Sequence, residues 1–499
     1  MVDAILGLDI GTNSTKAVLF DRSGSEVASA EQSYPLSTPA AGWAEQDPER
    51  LWQAVIRAIQ AVVNDAGPQV HVLALAVAAQ SGSVIPASAD GTPVYPMITW
   101  LDERTGLLVD QWKADGVEPN VRRISGWLLH SGLALPNIAW LRQHRADIFA
   151  KTERFLGVTD YVNHRLTGRF VADLSSGAEM QLVEATSGRW SKQLCDLAGI
   201  TPAQLSVLEP AGRAIGRIEA EVARLTGLPN QTIVVNGGHD QCCTAMAMGI
   251  SAPGRVMLSC GTAWVITTVV ETPVVETIPA KMDLNFHVVP QRWTISQLLG
   301  GFGATLEWWL NQSWQDFDPQ QASTRAELYT AFNQALEQTE PGSRGLLFLP
   351  LGGGSQLESE QARGGFVGLR LDHTRATMGR AVLEGTAYEV RWGVENIRHA
   401  GLPVEQLFLV GGATRSSIWT QILADVIGVP LSVSAYTRWP ALGAAILAGV
   451  GAGVFRSIEA GQELFRKEFE TIEPDQSRRR VYDAGYAEYK QLAQLLSEG

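Results

Sequence analysis

The sequence is poor in cysteine, in positive charge and in long apolar runs, and each shortage removes a class of protein. Only four cysteines occur, Cys195, Cys242, Cys243 and Cys260, with no C-x-x-C pair and no His cluster at zinc-ligand spacing, which argues against a disulfide framework or a structural zinc. Lys and Arg number 39 against 52 Asp and Glu, a net charge of −13. A protein that neutralises a polyanion needs the opposite balance, so nucleic acid is not an expected partner. No run approaches the roughly 20 apolar residues that cross a bilayer, so no membrane partner is expected either. The N-terminus opens with Asp3 and a short apolar run ending at Asp9, without the basic start or the length of a signal peptide. A reducing, cytoplasmic setting is the resulting expectation. No G-x-x-x-x-G-K-[ST] occurs, which excludes a P-loop.

What is present is the composition of a folded protein, 45% hydrophobic, in a chain of 499 residues that is too long for one core and predicts two large domains. From Ala4 to Tyr34 three short strands are predicted, with "DRSGS" as the turn between the second and third. Asp47, Pro48 and Glu49 then form a helix start, and Leu51, Trp52, Val55, Ile59, Val62 and Val63 recur at helical spacing. "VHVLALAVAAQ" follows as a further strand, so an α/β sheet with helical cover is the economical reading.

The middle third predicts helices around Leu135–Arg145 and Ala220–Leu225 and a loop near Glu209–Gly216. Then "TIVVNGGHD" reads as a strand ending on two glycines, followed by a helix. After Pro253 and Gly254, "RVMLSCGTAWVITTVVETP" reads strand, Gly-Thr turn, strand, which echoes "AILGLDIGTNSTKAVLFD" at the start. The echo predicts two similarly built lobes, 1–249 and 250–499. In the second, "QLFLVGG" is a strand between helices, and "ALGAAILAGVGAG" sets small side chains at helical spacing so that backbones can approach closely.

Four segments carry candidate chemistry. Asp9-Ile10-Gly11-Thr12-Asn13-Ser14 closes the first hairpin, and its glycine permits a tight turn whose amides hold phosphate oxygens. Asp9, just before it, is placed to hold Mg²⁺ through water. Ser259-Cys260-Gly261-Thr262-Ala263 is the second such turn, and the pair can grip phosphates from two sides of a cleft. Asp240 follows a strand and two glycines at the start of a helix. That is an ordinary N-cap position, but it also suits a carboxylate that takes the proton from a hydroxyl nucleophile. His239 beside it is read as structural, pointing elsewhere on an extended backbone. Gly411-Gly412-Ala413-Thr414-Arg415-Ser416 leads from a strand into a helix, which suits a nucleobase or phosphate against backbone.

In this order the segments resemble the FGGY family of carbohydrate kinases, of the actin-like ATPase superfamily. "LDIGTNSTKAVLFD", "GWAEQDPERLW", "DYVNHRLTG", "GGHDQ", "LSCGTAW", "LFLVGGATRSSIWTQILADVIGVPL" and "ALGAAILAG" carry the resemblance over nearly the whole chain. It implies two lobes, each on a ribonuclease-H-like mixed sheet flanked by helices, closing on ATP, Mg²⁺ and a sugar or polyol. Asp240 would be the general base and Asp9 would organise the metal. Thr12, Asn13 and Lys16 would lie near the transferred phosphoryl with Gly261 and Thr262 opposite, and Gly411, Gly412, Ala413 and Ser416 would line the adenosine site.

The acceptor end departs from the xylulokinase pattern. Gln80-Ser81-Gly82 stands where relatives carry Gln-Met-His, Trp100-Leu101-Asp102 where they carry Trp-Asn-Asp, Asn137 where they carry Lys, and Thr377 where a His is usual. Ser81 and Gly82 are therefore expected to enlarge or reshape a pocket in which Gln80, Trp100, Asp102, Asp240 and Gln241 meet the acceptor, unless a neighbouring loop fills the space. D-xylulose is the first expectation for that acceptor; another pentulose, a hexulose, ribulose or glycerol, a non-catalytic actin-like ATPase and a sugar sensor stay open. Members of the family are commonly dimeric, which makes a homodimer the implied assembly.

Overall fold

The computed structural model describes residues 2–314, 325–350 and 364–497. The predicted opening meander is β1 (Val2–Ile10), β2 (Ser14–Asp21) and β3 (Glu26–Ser33). β1 is buried on both faces from Ala4 onward, the pattern of a strand covered by helices on each side. The first cover is α1 (Pro48–Ala66), where Asp47 caps the helix by accepting from the Glu49 and Arg50 amides at 2.9 and 3.3 Å. Its Leu51, Trp52, Val55, Ile59 and Val62 are buried against the sheet. β4 (Val70–Ala79) returns parallel to β1.

The middle third holds α2 (Ala134–His144), the short α3 (Leu174–Glu179) and α4 (Ala220–Thr226). The predicted loop near Glu209–Gly216 ends in a strand instead, β5 (Ala214–Arg217), because it pairs antiparallel with β6 (Ile233–His239) at the sheet edge. α5 (Asp240–Ala247) follows β6 directly. The first sheet has the order β5-β6-β4-β1-β2-β3.

The second sheet begins with β7 (Gly254–Cys260) and β8 (Trp264–Val270), continues through β9 (Asp283–Phe286) and β10 (Trp293–Gly300), and is followed by α6 (Phe302–Ser313) and α7 (Arg375–His399). β11 (Val404–Gly411) lies parallel to β7; α8 (Ser417–Ile427), β12 (Leu431–Val433), α9 (Trp439–Gly451) and β13 (Glu470–Ile472) complete the unit. Its order is β9-β10-β8-β7-β11-β12-β13. The run β3-β2-β1-β4-β6 in one sheet and β10-β8-β7-β11-β12 in the other share one plan, an antiparallel meander with parallel strands added beside its first strand. The faint echo in the sequence is this repeated plan.

α9 does not stay with the second sheet. A side chain on Gly7 of β1 would overlap the Ala441 carbonyl, and one on Gly443 would overlap the Cys243 carbonyl, so the small residues of α9 let it press against both β1 and α5. α5 and α9 form a middle layer, with Ile5 and Val18 of the first sheet on one side and Met257, Val269 and Phe408 of the second on the other. The two sheets thus share one apolar layer, and the ends of their parallel strands face a common cleft. Among the described residues no helix is long and apolar enough to cross a membrane.

Candidate active site

Parallel strands end together, and residues just past those ends line the usual ligand crevice of α/β sheets. Here Asp9 sits near the end of β1, Gln80 follows β4 and donates its amide to the Ile10 carbonyl at 2.8 Å, and Asp240 follows β6. The two glycines before His239 each have a steric reason. A side chain on Gly237 would overlap the Val77 carbonyl of β4, and one on Gly238 would strike Val288. They let β6 bulge against β4, where the register shifts between Val235 and Gly238. Asp240 is the first residue of α5 rather than its cap.

The bulge also corrects the expectation for His239. Its Nε2 lies 3.1 Å from Asp240 Oδ1, and its Nδ1 lies 3.2 Å from Glu179 Oε2 at the end of α3. α3 is held in place by Asp173, which caps it through the Ser175 and Ser176 amides at 2.7 and 3.1 Å, while Ser175 Oγ accepts the His239 amide at 3.0 Å. Burial alone disfavours an imidazolium, but Glu179 and Asp240 together hold His239 well above the ordinary histidine range. Burial pushes the Glu179 carboxyl up, with His239 pulling against it.

At the first hairpin Lys16 Nζ reaches Asp9 Oδ2 at 3.4 Å across the β1–β2 pair. Asp9 is only 7% exposed. Burial pushes its carboxyl up to about 6, Lys16 opposing the rise and Asp240 adding to it. Thr12 Oγ1 donates to Gln80 Oε1 at 3.2 Å and accepts from Trp100 Nε1 at 3.1 Å, and Gln80 Nε2 donates to Gln46 Oε1 at 3.1 Å. Gln46 in turn donates to the Thr12 carbonyl, and Tyr34 Oη to the Gly11 carbonyl. Asn13 stays exposed at the tip.

Among the described residues the second turn is backed by backbone. Gly261 and Thr262 are exposed, and a side chain on Gly303 of α6 would overlap the Gly261 carbonyl. Gly411 has φ +108°, and a side chain there would meet the Cys260 carbonyl at 2.6 Å, so only glycine fits. Gly411 and Gly412 are exposed beside this turn. Ala413 and Ser416, expected on the adenosine surface, face inward. Ala413 belongs to the core, and Ser416 caps α8 through the Trp419 amide at 3.3 Å and donates to Asn333 Oδ1 at 2.9 Å.

Between the strand ends lies a cavity of about 460 Å³ walled by both sheets, large enough for a small ligand. Thr12, Gln80, Ser81, Trp100, Asp240 and Gln241 line it from one side, and Val265, Thr267, Asn285, Thr294 and Ser296 from the other. Three expectations change here. Gly82 has φ +80°, and a side chain on it would overlap Leu133, so the loop before α2 fills the expected space. Asn137 fixes that loop by donating Nδ2 to the Gly132 carbonyl at 3.0 Å. Ser81 donates to the Ser176 carbonyl at 3.3 Å. Asp102 borders the cavity but is 0% exposed, with its oxygens taken by the Ala44 amide at 2.6 Å and by Arg104 Nε and a terminal guanidinium nitrogen, each at 2.8 Å. It holds Arg104, which stacks over Trp43 at 3.7 Å, and is not free for an acceptor.

The residues that sequence reasoning missed come from elsewhere: Glu179, Trp127, His130 and Asp283. His130 Nε2 meets Asp283 Oδ2 at 2.9 Å across the lobes, and Asp283 Oδ1 accepts the Leu128 amide at 2.8 Å. Asp283 outweighs partial withdrawal from water and raises the His130 pKa.

Two like-built sheets, paired hairpins and a carboxylate at a cleft between them suit a two-lobed phosphotransferase, and the family and its kinase relatives make the chain one that acts on an alcohol group. The profile of the FGGY family of carbohydrate kinases matches the chain in two parts, the N-terminal domain over residues 4–247 and the C-terminal domain over residues 256–452, and the chain belongs to this family. It is 30% identical to the xylulose kinase of Escherichia coli K12 over 457 residues, 91% of each chain. It is 28% identical to the gluconokinase of Bacillus subtilis 168 over 471 residues, 93% of this chain and 90% of that one. Among solved structures, the xylulose kinase of Rhodospirillum rubrum superposes with a TM-score of 0.89 at 28% identity, covering 99% of both chains.

Proposed function

We propose that the protein transfers the γ-phosphoryl group of ATP to a hydroxyl of D-xylulose, giving D-xylulose 5-phosphate, or of a closely related ketose or polyol. The observation that carries this reading is Asp240, set in a cavity walled by both sheets between the two Gly-Thr hairpins. Similarity to xylulose kinases supports the choice of acceptor. Asp240 takes the acceptor proton, with His239 engaging one carboxylate oxygen and leaving the other for the hydroxyl. Thr12, Asn13 and Lys16 meet the transferred phosphoryl from the first lobe, and Gly261 and Thr262 meet it from the second. Transfer of this kind depends mainly on positioning and charge stabilisation.

Gly411 and Gly412 receive the adenosine side, while Ala413 and Ser416 shape that turn from beneath. Asp9 fits a water-mediated Mg²⁺ partner: burial raises its carboxyl to about 6 even with Lys16 at 3.4 Å, so a further cation beside it would favour the charged form, and Mg²⁺ is commonly held by one or two carboxylates together with phosphates and water. When bound, the ion would neutralise phosphate charge. The lobes act as units divided near 249–254, with α9 as their shared layer. Four buried, free cysteines support a reducing cytoplasmic setting. The homodimer implied by the family is read by light scattering. ATP consumption with D-xylulose, D-ribulose, glycerol and tetritols tests the acceptor, and D-xylulose is expected to lead. ATP turnover that needs no acceptor and survives Asp240→Ala would contradict the reading.

A further inference from the structure

The acceptor cavity has an unusual charge inventory. Among the described residues no Lys or Arg lines it, and its two cationic candidates, His130 and His239, are both engaged by carboxylates. Set against them are Glu103, Glu179, Asp240 and Asp283, beside Asp102, which is taken up by Arg104. Whether or not the imidazoles carry protons, the wall holds no surplus positive charge for a ligand.

The uncharged part of the wall points the same way. Asn285 is 3% exposed, and its Oδ1 has no hydrogen-bond partner among the described residues; the same is true of Gln241 Oε1. Both side chains line the cavity. Orphaned acceptors call for donors, and a hydroxyl supplies one where a carboxylate supplies none. Ser81 and Gly82 leave no long side chain to read the acceptor; Leu133 fills the space at Gly82, and Glu179 lies beside it on the wall.

We propose that the acceptor is a neutral polyhydroxy compound, and that Glu179, through its ion pair with His239, is the specificity-determining residue that turns carboxylate-bearing acceptors away. This rests on the kinase reading and narrows it. The chain resembles both a xylulose kinase and a gluconokinase, and the cavity sides with the uncharged acceptor. The acids of the wall outnumber its two imidazoles even when both are protonated, and a carboxylate about 6 Å from one uncompensated negative charge, at an effective dielectric of about 20, meets repulsion on the order of 100-fold in affinity.

The test compares D-xylulose with D-xylonate and D-gluconate as acceptors for Mg-ATP in the wild-type protein and in Glu179→Gln. The expected wild-type result is kcat/KM for either aldonate roughly 100-fold below that for D-xylulose. In Glu179→Gln the gap narrows about 10-fold, through the KM of the aldonate. A Glu179 that only braced α3 would lower all acceptors alike, and that result, or an aldonate used as well as D-xylulose by the wild type, overturns the proposal while leaving a kinase in place. If no acceptor is phosphorylated, the kinase reading fails, and calorimetric titration of xylitol and D-xylonate into the protein still decides the inference. Binding of xylitol alone supports it, and binding of D-xylonate as tightly, or of neither at millimolar concentration, overturns it.

Discussion

The hairpin at 11–14 and the hairpin at 261–263 close the same strand pair in two sheets of one plan, yet they are held in opposite ways. The first is tied down by side chains: Thr12 joins Gln80 and Trp100, Gln46 joins Gln80 to the Thr12 backbone, and Tyr34 holds Gly11. Asp9, Lys16 and Asp240 put charge beside it. The second is tied down by the absence of side chains, with Gly303 and Gly411 letting backbone meet backbone, and no acid or base lies within it. On the proposed reading the first lobe would carry the proton chemistry and one wall of the acceptor cavity, while the second would offer amides and shape to ATP and the facing, uncharged wall.

Substitutions should divide along that line. The largest effect is expected for Asp240→Asn, which removes the base and keeps the shape. Steady-state assays should show kcat lowered roughly 1,000-fold, within the range that general-base removal produces, with the KM for ATP little changed. In the second lobe, Gly303→Ala pushes a methyl group into the Gly261 carbonyl and costs about 1–3 kcal/mol as overpacking. The KM for ATP should rise about 10-fold while the KM for the acceptor stays fixed, because the methyl displaces the phosphate turn and leaves the acceptor wall alone. Equal damage to the acceptor KM would break the proposed division of labour.

Smaller effects sharpen it. Trp100→Phe keeps the ring and loses the bond to Thr12, a change of about 1 kcal/mol, seen as an acceptor KM raised about 5-fold. Ser416→Ala removes the cap of α8 and should cost about 1 kcal/mol, read as a small fall in Tm with kcat and both KM values unchanged. A rise in the KM for ATP in Ser416→Ala would restore Ser416 to the adenosine surface.

The same contrast explains what could be read from the sequence. Both hairpins, β6 and the start of α5 were legible because glycines mark the places where backbones approach. Asp240 was legible because it follows such a place. Glu179 was not, since it is 61 positions along the chain from Asp240 and ends a helix of six residues; the Asp173-Leu-Ser-Ser capping pattern before it was the one available signal. His130 and Asp283 meet only through the packing of two lobes. His239 was misjudged because a bulge, not an extended strand, sets its direction. For Gly82 the sequence left two readings open, added space or a neighbouring loop that fills it, and Leu133 decides for the loop. Asp102 retains the carboxylate of the resemblance but has turned it to Arg104.

Phosphorus NMR of the protein with Mg-ATP and D-xylulose tests the central claim most directly. Transfer through Asp240 predicts a sugar phosphate monoester appearing one for one with ADP, and neither product forming in Asp240→Asn on the same timescale. ADP accompanied only by inorganic phosphate, or monoester formed at an undiminished rate by Asp240→Asn, would contradict it.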